Sequence, residues 1–224
     1  MNYTPQFSVV WSNIGLFIQG MLLTLQITVS AIAFGLILGI LGSLGRTSGN
    51  QFANGVAVVY VEFFRNTPFL IQLFFFFFGL PSIGINLSPW QAAVLALAVN
   101  FGAYATEIVR AGIEGINKGQ IEAGMALGFK KLQIFRHIVL MPALGNIYPA
   151  LVSQVVIAVL FSSVVSQISA EELTFVGNYL QSRTFRSFEI YLTISLIYVG
   201  VVWLIKGLAL LIQKRFFAFT QYIR

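Results

Sequence analysis

The chain has no cysteine, a single histidine and few charges, which make up 9% of its 224 residues. Without cysteine there are no disulfides and no thiolate metal site, and the redox compartment stays open. No Ser/His/Asp constellation and no metal-ligand spacing accompanies His137, so neither catalysis nor a bound metal is expected in this chain. His137 stands among basic residues at a helix start and reads as a solvated or interfacial side chain rather than a proton relay. The Gly-x-x-x-x-Gly-Lys-Ser/Thr loop that cradles nucleotide phosphates is also absent. The N-terminal MNYTPQFSVVW lacks the positive n-region of a cleavable signal peptide. The first apolar segment is therefore expected to stay as an anchor.

What the chain does have is apolar surface: 58% of it is hydrophobic, with 22 phenylalanines and a mean hydropathy of +0.86. Soluble domains carry roughly 25% charged residues, so this composition belongs to an integral membrane protein. The apolar runs are continuous rather than alternating in ~10-residue units, which argues against a β-barrel. At about 20 residues per crossing, five segments stand out, near Ile14–Leu44, Phe52–Gly79, Trp90–Ile113, Leu144–Ile168 and Ile190–Ile212. The first carries Gly35, Gly39 and Gly42, a stripe that permits close helix contact. The second is interrupted by Glu62, Arg65 and Pro68. Phe74–Phe78 reads as lipid-facing or helix-packing surface. The expectation is an all-α membrane protein of about five transmembrane helices in a single domain, 15–215, after a short external N-terminal segment, 1–14.

The formal charge of +6 is distributed as a topology signal, so no nucleic-acid partner is expected. Arg46 follows the first segment; Lys118, Lys130, Lys131 and Arg136 follow the third; Lys214, Arg215 and Arg224 follow the fifth. The N-terminal tail and the Leu80–Pro89 loop carry no Lys or Arg. Basic loops stay in the cytoplasm, which puts the N-terminus outside and the C-terminus in the cytoplasm. Arg183 and Arg186 fall on the outer side, offset by Glu171, Glu172 and Glu189.

Between the third and fourth segments lies a polar island, Glu114 to His137, the largest place where this chain can grip a soluble partner. Glu122 to Gly128 is expected to form a short helix stopped by glycine, with Ile121, Met125 and Gly128 near one face and Glu122 on another. Periodicity alone leaves an ordinary amphipathic connector as an equal reading.

EAGMALG at 122–128, followed by Ile138, Leu140 and Pro142, resembles the EAA-type motif of ABC importer permeases, and of those for polar amino acids in particular. Further stretches match that family in order: Tyr60–Pro68 (YVEFFRNTP), Gln72-Leu-Phe-Phe ending in Gly79-Leu-Pro81, Tyr104–Ile113 (YATEIVRAGI), and Ser162–Ser166 before Glu172-Leu173. The resemblance covers roughly residues 15 to 215. It departs at Gly124, which replaces an alanine, at Met141, with Pro142 one place late, and at Leu160-Phe161, where the family often has Lys-Asp. The last departure weakens an arginine- or lysine-specific reading.

The resemblance implies the ABC type I importer transmembrane fold, with residues 114–142 as the cytoplasmic coupling loop. Its ATPase-coupling residues are Glu122, Ala123, Gly124, Gly128 and Lys118. It further implies a cytoplasmic ABC ATPase dimer that binds ATP and Mg, a second permease copy or sister permease, a periplasmic or extracytoplasmic substrate-binding protein, and a multi-pass place in the bacterial inner membrane. Membrane lipid is the remaining partner. ABC permeases for methionine, an opine or an osmolyte, and a stand-alone secondary transporter, are the alternatives.

Ionisable groups cost roughly 2.5–3.5 kcal/mol or more at mid-membrane, so each needs a reason. Glu62/Arg65 and Glu107/Arg110 are spaced as self-neutralising pairs on one helix face. Pro68 breaks its helix, and broken helices commonly line transporter sites. Arg65 can hold a substrate carboxylate bidentately or serve as partner to Glu62. Arg65, Thr67, Asn100, Tyr104 and Ser166 are the candidates for one polar substrate cavity, although serine clusters are more often packing glue.

Overall fold

A computed structural model describes residues 4–217, and every regular element among them is helical. A short α1 (Ser8–Ser12) leads into α2 (Ile14–Thr47), whose 34 residues rise about 50 Å. Helix α3 (Gln51–Arg65) is capped by Asn50, whose side chain accepts from the Phe52 and Ala53 amides. After a break, α4 (Phe69–Phe74) continues through a π-helical turn (Phe75–Gly79) and a 3-10 turn (Leu80–Ile83). Helix α5 (Pro89–Glu114) opens on a Ser88/Gln91 capping box. The island holds α6 (Lys118–Ala126) and α7 (Lys131–Ile134), which runs through a π-helical turn into α8 (Leu140–Phe161). A 3-10 segment (Ser162–Ile168), α9 (Leu173–Thr184) and α10 (Ser187–Phe216) complete the chain.

Four helices are long and apolar enough to cross a membrane, and the bent pair α3/α4 makes a fifth. The five apolar segments read from the sequence all return as helical segments, most of them a few residues longer. Four are candidate spans in themselves, and the second is a fifth when its bent pair is counted as one span. The fourth is the one most extended: its helix is continuous from Lys131 to Ile168, so the rod begins inside the island.

Helix α5 is the core. Its small residues Ala92, Ala93, Ala96, Ala103 and Ala105 are buried, and the glycine stripe of α2 lies against it. A methyl group at Gly35 would come within 2.9 Å of the Ala98 carbonyl, and one at Gly39 within 2.6 Å of the Ala105 side chain. The two backbones meet so closely that only glycine fits, and dispersion replaces the hydrophobic effect that lipid cannot supply.

The second span bends by 109° between Arg65 and Phe69. Pro68 has no N–H, so the carbonyls before it lose their helical partners. Gln72, buried to 3% exposure, supplies the donors. Its Nε2 lies 2.8 Å from the Phe64 carbonyl, 3.0 Å from the Thr67 carbonyl and 2.8 Å from Thr67 Oγ1, while its Oε1 accepts from Asn100 Nδ2 at 2.9 Å. The Phe74–Phe78 run then divides its rings: Phe75 and Phe78 are exposed, and Phe74, Phe76 and Phe77 pack on the core around Leu73 and Leu97.

At the end opposite the island, Glu172 is fully buried and joins three helices. It accepts from Thr24 Oγ1 of α2 at 3.4 Å, from the Tyr198 hydroxyl of α10 at 2.9 Å and from the Phe175 amide of α9 at 2.9 Å. Glu172 therefore does not offset the nearby arginines: Arg186 approaches Glu189 at 3.8 Å, and Arg183 lies over the Tyr179 ring at 4.4 Å. Arg224, one of the basic residues read as a topology signal, lies outside the described residues.

Replacing Gln72 by leucine removes the partner of two carbonyls and of the Asn100 amide at once. Each group left unpaired costs about 1–3 kcal/mol, so thermal unfolding of Gln72→Leu in detergent is expected several degrees below wild type. An unchanged midpoint would show that the break is held by something else.

Candidate functional site

The island end of the molecule carries two features of different chemistry. The first is the island itself. Asn117 caps α6, accepting from the Gly119 amide at 2.8 Å. The helix ends in two crossed bonds, Gly128 N to Met125 O at 2.9 Å and Phe129 N to Gly124 O at 3.1 Å, with Gly128 at φ 80°. This is a Schellman stop, which requires the left-handed residue that glycine supplies. A methyl at Gly128 would meet nothing within 4 Å, so the demand there is on the backbone, not on space.

The inward face of α6 differs from the expected one. Gly124 and Ile121 face the protein, against Ile134 and Ile138, whereas Met125 is 55% exposed. A methyl at Gly124 would lie 2.5 Å from Ile138 Cδ1, so the glycine that departs from the EAA pattern lets α6 sit tightly on the start of the fourth span. Lys118, Glu122 and Ala123 are exposed, as are Leu127, Phe129, Leu132 and Phe135. His137 is exposed too, with Nδ1 2.9 Å from the Gln133 carbonyl.

The second feature is a cleft of about 360 Å³ between α3, α5 and α8, lined by Arg65, Tyr104, Glu107, Ile108, Asn146 and Ile147 among others. Pockets of 300–1,000 Å³ hold small molecules. At its floor Glu107 is shared: Arg110 Nη2 lies 2.6 Å from Oε2, and Arg46 Nε lies 3.3 Å from Oε1. The Arg46 contact is off-angle for a hydrogen bond, so it acts through charge. Arg110 also binds Glu114, the first residue of the island. At the cleft wall the Arg65 guanidinium stands 5.2 Å above the Tyr104 ring. None of its donors meets a described residue in a hydrogen bond.

The expected residues therefore separate. Arg65 and Tyr104 come together in the cleft. Thr67 and Asn100 do not reach it, because Gln72 takes both in sealing the break. Ser166 is buried in the 3-10 segment, donating to the Ser163 carbonyl at 2.8 Å. The Glu107/Arg110 pair forms. The Glu62/Arg65 pair does not: Glu62 accepts from Asn66 Nδ2 at 2.8 Å, and Arg65, the last residue of α3, leans across to α5. Asn146 was missed; nothing in its spacing marks it, and only the packing of α8 on α5 brings it to the cleft. Arg46 was read as a topology signal and also serves as an ion-pair partner. Among the described residues no group of three or more His, Cys, Asp or Glu side chains gathers to hold a metal.

Residues 31–218 match the family described as binding-protein-dependent transport system inner membrane component. The chain belongs to that family. It is therefore an inner membrane component of a binding-protein-dependent transport system. The glutamine transport system permease protein GlnP of Escherichia coli (strain K12) is 34% identical over 211 residues, covering 93% of this chain and 96% of that one. A solved amino acid ABC transporter, crystallised with histidines, superposes with a TM-score of 0.89 at 35% identity over 95% of this chain and 100% of that one. The MetNI methionine ABC transporter, inward facing, shares the fold with a TM-score of 0.72 at 24% identity, covering 90% of this chain and 96% of that one. The type I importer permease fold expected from the sequence is thus the fold of this chain.

If Glu107 joins Arg46 to Arg110, the double mutant Arg46→Met/Glu107→Gln will be less destabilised than the sum of the single variants. Coupling of about 0.5–3 kcal/mol is expected in an unfolding cycle. Additivity within ~0.3 kcal/mol would mean the two helices are not tied by this pair.

Proposed function

We propose that this chain is the transmembrane subunit of an ATP-driven importer that moves a polar amino acid across the inner membrane by alternating access. The observation that carries the reading is the cleft. It presents an exposed guanidinium fork over the Tyr104 ring, with no hydrogen-bond partner for its donors among the described residues, which is a group able to take a carboxylate bidentately. Of the charged residues lining the cleft, Glu107 is already paired with Arg110 and Arg46, whereas Arg65 has no ion-pair partner among the described residues, which suits a carboxylate. Arg65 would hold the α-carboxylate of the cargo. The Tyr104 hydroxyl and the Asn146 amide offer neutral polar contacts, consistent with an uncharged polar side chain. Relatives named for glutamine and for amino acids support the same class. ABC permeases for methionine, opines or osmolytes are the nearest alternatives, and uptake assays separate them.

The drive comes from outside this chain. A pair of ABC ATPases, carrying ATP and Mg, would dock on the exposed Lys118, Glu122, Ala123, Met125 and Leu127 surface, so the island faces the cytoplasm and the N-terminus lies outside. That orientation agrees with the distribution of basic residues. Motion of α6 would be transmitted directly. Its Gly124 sits on Ile134 and Ile138, and the same continuous helix delivers Asn146, Ile147 and Ala150 to the cleft. A second permease, either a copy or a sister chain, would close the pathway, and a substrate-binding protein outside the membrane would deliver the cargo.

Uptake into proteoliposomes holding the permease, its ATPase and its binding protein tests the reading. Arg65→Ala is expected to raise the half-saturating amino-acid concentration roughly 10- to 100-fold, the loss of one charge-assisted contact of ~1.5–3 kcal/mol. Unchanged affinity would remove Arg65 from the cargo path. Glu122→Lys should leave the permease folded while separating ATP hydrolysis from uptake, and Gly128→Val should do the same by straining the left-handed stop of α6 with the membrane spans intact. Normal uptake in both would sink the assignment of α6.

A further inference from the structure

Helix α10 carries one charge between Glu189 and Lys214, and it is Lys206. Two turns separate Lys206 from Gln213, roughly 10 Å, so Lys206 sits well inside the apolar span. Among the described residues no carboxylate lies within 4 Å of it; the ion pairs formed there involve Arg46, Arg110 and Arg186. A lysine at this depth is costly unless its ammonium finds an anion or reaches the interface.

Beside it is a groove of about 220 Å³ between α8 and α10, lined by Tyr148, Pro149, Val152, Lys206, Leu210 and Gln213. The wall is almost wholly apolar, with Lys206 and the Gln213 amide as its free polar groups. The Tyr148 hydroxyl is already committed to the Ala209 carbonyl at 2.8 Å. Outside the groove, α10 is the least covered span: 11% of its most apolar window is buried, and Trp203, Leu204, Leu208 and Leu211 stand exposed. Below the groove, the exposed Lys214 and Arg215 end the helix without a carboxylate partner among the described residues.

We propose that this groove binds one anionic phospholipid, with the headgroup phosphate between the Lys206 ammonium and the Gln213 amide and an acyl chain along Val152 and Leu210. Charge decides the occupant. The groove and the helix end below it offer three cations and no acid, which fits an anionic headgroup held against an apolar wall. A zwitterionic lipid brings its own ammonium into the same positive field and gains less. The inference depends on the chain's place in the membrane and not on the cargo, so it stands or falls apart from the cleft.

Native mass spectrometry of the full chain with phosphatidylglycerol and phosphatidylcholine tests it. Wild type is expected to retain phosphatidylglycerol in preference, and Lys206→Met to bind it about fivefold more weakly, which is ~1 kcal/mol. Lys206→Arg should restore binding, and added inorganic phosphate should not displace the lipid. Equal adducts in wild type and Lys206→Met, equal retention of phosphatidylcholine, or a crosslink from position 206 to a second copy of the chain would each overturn the proposal. Thermal unfolding of Lys206→Met in phosphatidylcholine alone separates a folding defect from lost lipid: a midpoint equal to wild type is expected there, and a lower one would show that Lys206 is a structural residue.

Discussion

A backbone carbonyl inside a bilayer has no water to fall back on, and in this protein that constraint is met at one side chain. Pro68 breaks the second span, and Gln72 gathers the Phe64 and Thr67 carbonyls that the break releases. Because Gln72 is held in turn by Asn100, the bend is tied to α5 and not left as a hinge. Its consequence reaches the cleft. With α3 stopping at Arg65 and the chain turning away by 109°, the guanidinium at the helix end is free to lie over Tyr104. The broken helix lines the site through the side chain at its end, while its freed backbone is sealed.

The same economy governs α2 and α5. Lipid tails are as apolar as leucine, so no hydrophobic force presses these helices together, and close backbone contact does the work. The glycine stripe sets the distance, and the distance brings Arg46, at the end of α2, to Glu107 on α5. From Glu107 the charges run through Arg110 to Glu114, where the island begins. The core packing and the charged floor of the cleft are therefore one arrangement, fixed by the absence of side chains at a few positions.

Much of the fold was legible because hydropathy and helix length report directly on a bilayer. All five segments return as helical segments, four of them single candidate spans and the second a bent pair, and the glycine stop at 128 follows from a residue with no steric cost at positive φ. Side-chain partners were less legible. Glu62/Arg65 and Glu107/Arg110 have the same spacing, yet one pair forms and the other does not. The difference is that α3 ends at Arg65, where Asn66 closes the last turn and takes the Glu62 carboxylate. Glu172 looked like a surface counter-ion and is a buried junction of α2, α9 and α10. Its position immediately before Leu173, as an N-cap carboxylate three residues ahead of an amide it accepts from, was the available signal.

In the proposed coupling the fourth span is the element that joins the island to the cleft, through a π-helical turn at Phe135–Val139 and on to Pro149. It starts in the island at Lys131, passes the seat of α6 at Ile134 and Ile138, and reaches the cleft at Asn146 and Ile147 without a break. Its partner α5 reaches the island through Arg110 and Glu114 on the other side of the cleft. Under the proposed coupling, a push on α6 would reach one wall of the cleft, while the opposing wall is held through Glu107 to Arg46 of α2. Two walls with different anchors would shift relative to each other under that load, which is what the proposed cargo site requires in order to bind differently in two states. The tight seat at Gly124 matters for this reason. A larger residue there would have to displace the end of the Ile138 side chain, so the glycine sets how closely α6 meets the start of the fourth span.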